Sequence, residues 1–206
     1  MKNTLALTAA AAAFAVSTAV AEPAVGPASA AGAWTIDKAH SEVGFQVRHL
    51  MTKVRGSFGA FDGSVKIDAA KPEASTVSFV VKAASVNTNE TKRDEHLRSA
   101  DFFDAASYPE IRFVSTSVRP AGENRYEVTG DLTLRGVTRK VSLPVVFLGV
   151  QKDPWGSEKA GFETAVTLNR KDYGMVWNKA LDHGGTILGD EVFVTIALEA
   201  ARAKAN

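Results

Sequence analysis

The chain has no cysteine among its 206 residues. Neither a disulfide bond nor the acylated cysteine of a lipoprotein can therefore form, and a cysteine nucleophile is excluded as well. A folded domain of this chain must be stabilised by its apolar core alone.

A strong charge of one sign is also absent, because 24 Lys and Arg residues against 23 Asp and Glu residues leave a formal net charge of +1. A protein that binds the phosphate backbone of a nucleic acid carries a basic patch or stripe. The composition offers no such surplus, so nucleic acid is not expected as a partner.

No apolar run reaches the roughly 20 residues that a bilayer-spanning helix needs. The longest run, Leu5 to Val20, follows Lys2 and leads into Ala21, with small residues at both positions that a signal peptidase reads. This pattern predicts a signal peptide at residues 1–21, a periplasmic or secreted product and no stable membrane insertion. A retained N-terminal anchor is the alternative.

Helical patterns are scarce, and most of the chain alternates apolar and polar residues with a period of two, which indicates half-buried strands. The alternating segments are 43–49, 77–83, 111–113, 126–134, 141–147, 162–168 and 192–198. Turn-forming sequences separate them at residues 71–72, 120–122, 135–136 and 153–156. We predict an all-β fold, an antiparallel β-barrel of about eight strands, with a two-sheet sandwich as the alternative.

The domain boundaries follow from composition. Residues 22–32 are rich in Ala, Pro and Gly and predict a flexible lead-in, so the barrel domain is expected at residues 33–201. Within it, the segment 53–68 carries Gly56, Gly59 and Gly63. Glycines inside a strand mark bulges or bends, so this segment is predicted to be one strongly curved strand that turns a barrel corner.

A charged interruption follows, with one short helix predicted near residues 91–99. Thr91 and Asp94 have the spacing of a capping box. A helix this short is marginal alone, so we expect Leu97, Phe102 and Phe103 to press onto the end of the sheet.

Seven short motifs occur in order between Ala33 and about Ala200. They are Trp34-Thr-Ile-Asp37 with His40-Ser41, Gly56-Ser-Phe58 with Phe61-Asp-Gly63, Arg93 to Leu97, Asp101-Phe-Phe-Asp104, Tyr108-Pro109, Gly130 to Thr138, and Arg170-Lys-Asp-Tyr-Gly174. This ordered set resembles the YceI family of exported lipid-binding proteins. Tyr173 departs from the family pattern, which has phenylalanine before Gly174.

The resemblance implies an extended, lipocalin-like antiparallel β-barrel around a long apolar pocket for a polyisoprenoid or similar long-chain amphiphile, which is bound and carried or stored without chemical change. An eight-stranded barrel is about the size at which the interior is either filled or holds one ligand, so an ordinary packed core is the alternative. The predicted lipid contacts are Phe45, Phe58, Phe61, Phe79, Leu97, Phe102, Phe103, Phe113, Leu132, Phe147, Met175 and Trp177. The predicted headgroup contacts are His40, Arg93 and His96.

Two of these contacts come from a long segment without a strand pattern, residues 171–190. Unstructured loops of this length are uncommon in compact domains and are often functional. We expect this loop to border the pocket opening, with Met175 and Trp177 against the lipid. A homodimer is left open.

Two other functions remain as alternatives. His40, His49, His96 and His183 could hold a metal in a small-ligand binding module, but they lack the short spacings of a metal site, so neither a metal nor a cofactor is expected. A hydrolase could use the acidic residues Asp94, Glu95, Asp101 and Asp104. No serine-nucleophile or phosphate-binding motif accompanies them, so we expect no catalysis.

Overall fold

The computed structural model describes residues 27–203, so the predicted signal peptide and residues 22–26 lie outside the described part of the chain. Within that part, the α-helix α1 covers Thr91–Arg98. The strands are β1 Gly32–Ile36, β2 Glu42–His49, β3 Thr52–Phe58, β4 Phe61–Ile67, β5 Thr76–Lys82, β6 Val86–Asn87, β7 Glu110–Gly122, β8 Arg125–Leu134, β9 Val137–Lys152, β10 Glu158–Asn169 and β11 Leu188–Arg202. Short 3-10 helices cover Pro27–Ala30, Lys38–His40, Pro72–Ala74, Ala83–Ser85 and Arg170–Tyr173.

The strands pair antiparallel, and the sheet closes on itself. β11 pairs with β2 along much of its length, and its last residues pair with β1, where Trp34 lies opposite Arg202. β1 and β2 therefore lie end to end as one wall of a barrel. β3 with β4, and β5 with β6, form two more walls in the same way, which makes eight walls in all. The predicted eight-stranded barrel is confirmed, and the sandwich alternative is wrong.

The segment 53–68 is two strands rather than the single curved strand that we predicted. Gly59 and Ala60 separate the two strands. The Gly59 amide donates to the Ser85 carbonyl at 3.1 Å, and the Lys82 amide donates to the Ala60 carbonyl at 2.8 Å. The corner therefore lies at a glycine, but the other two glycines of the segment lie inside regular strands.

The turn predicted at residues 120–122 is displaced. β7 continues to Gly122 through two irregularities in register, and the chain reverses at Glu123 and Asn124. Asn124 has a φ of 52°, a left-handed conformation that asparagine tolerates better than most residues. Asn124 therefore marks the turn in the sequence, whereas Pro120-Ala-Gly122 marks the irregular end of β7.

Residues 27–32 were predicted to belong to a flexible lead-in, but they pack on the barrel. The carbonyl of buried Ala30 accepts a hydrogen bond from Trp34 Nε1 at 2.7 Å. The Arg202 guanidinium lies 4.3 Å from the centre of the Trp34 ring and donates to two carbonyls of the segment. This part of the lead-in is fixed by a cation–π contact and hydrogen bonds.

Helix α1 ends one residue before the predicted bound, and its first turn is capped differently from the prediction. Glu90, not Thr91, is the N-cap, and its carboxylate accepts from the Lys92 amide at 2.9 Å. Asp94 is buried and accepts from the backbone amide and the hydroxyl of Thr88 at 2.8 and 2.5 Å. These two carboxylates replace the predicted Thr91–Asp94 capping box.

The apolar residues around α1 pack on the barrel end as predicted. Phe102 is buried, and Leu97 and Phe103 contact the main core. The ring of Phe103 meets the edge of the Phe58 ring with centres 5.4 Å apart. This packing holds the helix across one end of the barrel.

Arg135 joins the loops at this end. It lies in the β8–β9 turn with a φ of 50° and donates to the carbonyls of Gly174 at 2.5 Å and Ala100 at 2.7 Å. Because the two carbonyls belong to different loops, one guanidinium ties the β8–β9 turn, the segment after α1 and the loop before β11 together.

Many inward side chains of the barrel are not fully buried. On β10 and β11, inward residues such as Val166, Leu168, Val192 and Val194 alternate with exposed ones yet stay partly accessible themselves. A packed core buries such side chains completely. They therefore face enclosed space, and the barrel is hollow. No helix of residues 27–203 has the length and hydropathy needed to cross a bilayer.

Candidate functional site

A cavity of about 660 Å³, here called the main chamber, fills the end of the barrel next to α1. This volume lies within the range of small-molecule pockets, and the wall is almost entirely apolar, as such pockets are. The polar and charged residues that line it are His49, Thr88, Glu90, Lys92, Arg93, His96, Arg170 and Tyr173. Five of these eight lie on α1 or just before it, so the polar groups are concentrated there.

A second cavity of about 170 Å³, here called the far chamber, lies deeper in the barrel. Its wall includes inward valines of β4, β5, β7, β8 and β9, and it extends to the 3-10 helix Pro72–Ala74. The interior of the barrel is therefore divided along its length.

Ten of the twelve predicted lipid contacts line the main chamber. They are Phe45, Phe58, Phe79, Leu97, Phe102, Phe103, Phe113, Leu132, Met175 and Trp177. The other two are placed differently. Phe61 is buried beside Phe79 with ring centres 5.8 Å apart, and Phe147 lines the far chamber, 5.6 Å from the Phe162 ring.

An aromatic cluster connects α1 to the loop before β11. The His96 ring makes edge contacts with Phe102 at 5.0 Å and with Trp177 at 4.9 Å, and the last two rings are 5.4 Å apart. His96 Nε2 also lies 2.8 Å from a carboxylate oxygen of Asp101. The loop therefore borders the main chamber, as predicted, and is packed against the helix there.

Arg93 also reaches the chamber, but part of its hydrogen-bonding capacity is already used. Its Nε and Nη2 donate to the hydroxyl and carbonyl oxygens of Thr88 at 2.7 and 2.9 Å, rather than to Asp94 or Asp101. The exposed ammonium of Lys92 has no ion-pair partner among residues 27–203. Two cations therefore stand at the polar end of the chamber.

His40 lies elsewhere, which separates it from the other two predicted headgroup contacts. It is exposed on the 3-10 turn between β1 and β2, with Nδ1 3.2 Å from Asp37 and 3.8 Å from Glu199. It lines neither chamber. His49, which was not predicted as a contact, lines the main chamber at the other end of β2. The sequence could have indicated this, because His49 lies on the same strand face as Val43 and Phe45.

Among the described residues, Asp37, His40 and Glu199 bring potential metal ligands within 4.8 Å of one another. The ammonium of Lys159 makes an ion pair with Asp37 and another with Glu199, 3.1 Å away. The hydrogen bond from Lys159 lowers the pKa of Asp37 to about 2, and the same contact raises the pKa of Lys159. A lysine ammonium thus already forms ion pairs with both carboxylates that a metal ion would need.

The predicted acidic cluster does not form a catalytic pair. Asp94 holds Thr88, Asp101 pairs with His96, and Asp104 occupies a turn with a φ of 47°. Neither they nor Glu95 line the main chamber. A glycosidase needs two carboxylates facing the substrate across a cleft, and this arrangement does not provide them.

Arg170 is the principal residue that the sequence reasoning missed. It is 3% exposed, and it donates to the carbonyls of Met175, Trp177 and Gly189 at 2.5, 2.8 and 2.9 Å and to Asp190 at 3.1 Å. Burial lowers the pKa of Arg170, and the Asp190 carboxylate opposes that shift. Because arginine remains charged in proteins, one buried cation fixes the chamber-facing part of the loop.

Tyr173, which stands where the family pattern has phenylalanine, is 2% exposed and packs with Leu134 and Met175. Burial raises the pKa of its hydroxyl. The Tyr173 side chain therefore packs as part of the wall of the main chamber and does not make the loop polar.

Comparison with known proteins matches residues 34–200 to the family model described as YceI-like domain. A UPF0312 protein of Pseudomonas putida strain W619 is 47% identical over 148 residues, which cover 70% of this chain and 77% of that protein. A UPF0312 protein of Azotobacter vinelandii is 46% identical over 145 residues, covering 69% and 76%.

Solved structures agree. BcnA of Burkholderia cenocepacia aligns with a TM-score of 0.69 at 28% identity, over 80% of this chain and 98% of that chain. The YceI protein of Campylobacter jejuni gives 0.65 at 33% identity, over 82% and 98%. A polyisoprenoid binding domain from Saccharophagus degradans gives 0.65 over 82% and 98%, but at 16% identity it shows the fold alone.

The role of Arg170 predicts that Arg170→Met releases the loop. Three backbone carbonyls then lose their hydrogen-bond donor. We therefore expect the free energy of unfolding, measured in urea, to fall by about 2 kcal/mol, and protease to cut the loop before β11 faster. Lys171→Met is the matched control, because Lys171 also pairs with Asp190 but is exposed, and an exposed pair contributes less than about 1 kcal/mol. Equal effects of the two substitutions would contradict the assignment.

The ion pair of Asp37 predicts an acid-dependent contribution to stability. The pKa of Asp37 is about 2 in the folded state and 3.8 ordinarily, so the ionised carboxylate stabilises the fold at pH values above 3.8. That stabilisation is lost as the pH falls from 3.8 towards 2. The difference in unfolding free energy between wild type and Asp37→Asn should therefore shrink across this window in denaturant titrations. In a Lys159→Met background the window should narrow, because only the hydrogen bonds from His40 and Ala39 then lower the pKa of Asp37. An unchanged window there would show that Lys159 is not the main cause.

Proposed function

The chain belongs to the YceI-like domain family, and from that premise we propose that it binds a polyisoprenoid or similar long-chain amphiphilic lipid inside the barrel, without catalysis. The observation that carries the proposal is the main chamber, an apolar cavity of about 660 Å³ with its charged groups gathered at one end. Such a cavity matches a molecule with a long apolar tail and a single polar group.

Two further findings support a lipid over a polar ligand. The inward side chains of β10 and β11 remain partly accessible, so the wall itself leaves apolar area to be covered. The Saccharophagus degradans domain, which shares the fold, is a polyisoprenoid binding domain. Both are what a barrel with a lipid-filled interior would show.

The polarity of the chamber gives the lipid a direction. The tail would lie along the barrel, and the headgroup would stay near α1, within reach of Lys92, Arg93 and His96. Arg93 keeps Nη1 free of the hydrogen bonds to Thr88, and Lys92 offers an unpaired ammonium. These groups favour a headgroup with oxygen acceptors, such as a carboxylate or a phosphate.

The energetics favour chain length over headgroup identity. Each buried methylene contributes about 0.8 kcal/mol, so a few isoprene units outweigh one charge-assisted hydrogen bond of about 2 kcal/mol. Ordering the chain offsets part of this gain. We therefore propose that several lipids with similar tails are bound, and that the protein carries or stores them.

The alternatives have less support. Asp94 and Asp101 are engaged in hydrogen bonds that hold the helix. Asp37 and Glu199 each form an ion pair with Lys159. A turnover assay with polyprenyl phosphates and simple glycosides separates catalysis from binding. Saturable turnover that is lost in Asp101→Asn would replace the binding proposal with a hydrolase.

Binding is tested with a fluorescent long-chain fatty acid or polyprenyl probe and the variant Val194→Glu. Val194 lines the main chamber, and a carboxylate there must be buried next to the tail, so we expect roughly tenfold to hundredfold weaker binding. Thr195→Glu is the matched control, because Thr195 follows Val194 on β11 and faces outward. This variant should bind the probe with the affinity of wild type. Absence of any amphiphile in an organic extract, together with no uptake of either probe by wild type, would refute the proposal.

We also propose that this binding takes place in the periplasm or outside the cell, because residues 1–21 have the pattern of a secretory signal. Mass spectrometry of the purified protein should find a new N-terminus at Glu22, and cell fractionation should find the protein outside the cytoplasm. An uncleaved chain in the cytoplasmic fraction would contradict export.

A further inference from the structure

Four side chains line both chambers. They are Phe79, Phe113, Leu143 and Ile196, here called the gate ring. They come from β5, β7, β9 and β11, which belong to different walls of the barrel. The two chambers therefore meet at this level, and a chain that enters the far chamber from the main one must pass between these side chains.

The two aromatic members of the gate ring lie against the wall rather than across the interior. Phe79 lies directly opposite Gly63 on the neighbouring strand, and a Cβ on that glycine would be 2.6 Å from the Phe79 ring. A Cβ on Gly130 would be 2.6 Å from the Phe113 ring. No real Cβ contact is that short, so each ring rests in space that only glycine provides. The two glycines keep the passage wide.

The two rings are not held equally. Phe79 stacks on the buried Phe61 ring in addition to Gly63, so it is fixed on two sides. Phe113 lies opposite Phe79 in the backbone register of β5 and β7, and its ring makes no contact with another aromatic ring among residues 27–203. The width of the passage therefore depends mainly on Phe113.

We propose that the gate ring sets the chain length that the protein prefers. This inference rests on the proposed function, because it assumes that an apolar tail occupies the main chamber. A tail that ends above the ring is held by the main chamber alone. A longer tail passes Phe113 and fills the far chamber.

The test is a homologous series of n-alkyl carboxylic acids whose affinities are measured by displacement of a fluorescent fatty acid. While each added methylene is buried, the affinity should rise about fourfold per methylene. In wild type the slope should fall at the length at which the tail reaches the gate ring and then recover as the tail enters the far chamber.

Two substitutions at Phe113 move that break in opposite directions. Phe113→Leu widens the passage, so the affinity of acids longer than the break should increase and the break should weaken. Phe113→Trp narrows it, so those acids should stop gaining affinity at the break. Acids whose tails end above the ring should change in affinity by a smaller factor than the longer acids in both variants, and the difference between the two groups is the readout.

Phe58→Leu is the matched control, because Phe58 lines only the main chamber. It should change the affinity of all lengths by a similar factor and leave the break in place. Circular dichroism and thermal unfolding confirm that each variant is folded before it is compared, and the milder leucine substitution keeps the test available if the tryptophan does not fit.

The outcomes separate this inference from the function beneath it. If no alkyl acid of any length binds wild type, the lipid-binding proposal itself fails. If the acids bind but both Phe113 variants keep the wild-type length profile, the gate ring is overturned while lipid binding stands. A uniform loss across all lengths in Phe113→Leu would also overturn it, because Phe113 would then be an ordinary wall residue.

Discussion

The inward side chains of this barrel do not fill the space that its eight walls enclose, and the binding properties depend on that mismatch. Valines supply much of the wall, and the larger rings of Phe45, Phe79 and Phe113 lie on glycines of neighbouring strands. A ring that rests on a glycine covers backbone without reaching the axis. The strand glycines, often read as weak points, therefore preserve the volume of the interior.

Two arginines give the open architecture its rigid end. Arg135 and Arg170 donate to carbonyls of loops that have no strand partners of their own. Such carbonyls would be costly to bury unpaired, and a guanidinium can satisfy several of them at once. The aromatic cluster of His96, Phe102 and Trp177 adds apolar contact to the same region. The chamber is thus bordered by fixed loops.

Strand alternation was enough to predict the strands and most of their inward side chains, because inward residues of a β-strand recur with period two whether the interior is full or hollow. It left a sandwich and a packed core open, and the resemblance to the YceI family was what favoured a hollow barrel. The same periodicity could not distinguish Phe147 or Phe61 from the main-chamber rings, since depth along the barrel depends on the register between walls. His40 was misplaced for a related reason, because it lies in the 3-10 turn before β2, at the opposite end of that strand from His49. Arg170 was missed because its partners are backbone carbonyls, which leave no pattern in side chains.

The closing contact between β1 and β11 joins residues at opposite ends of the domain, with Trp34 opposite Arg202. Pairings this distant in sequence are slow to form, because the intervening chain must first be ordered. The sheet is therefore closed only when the last strand of the domain pairs with the first two, and until then the interior is open along that side.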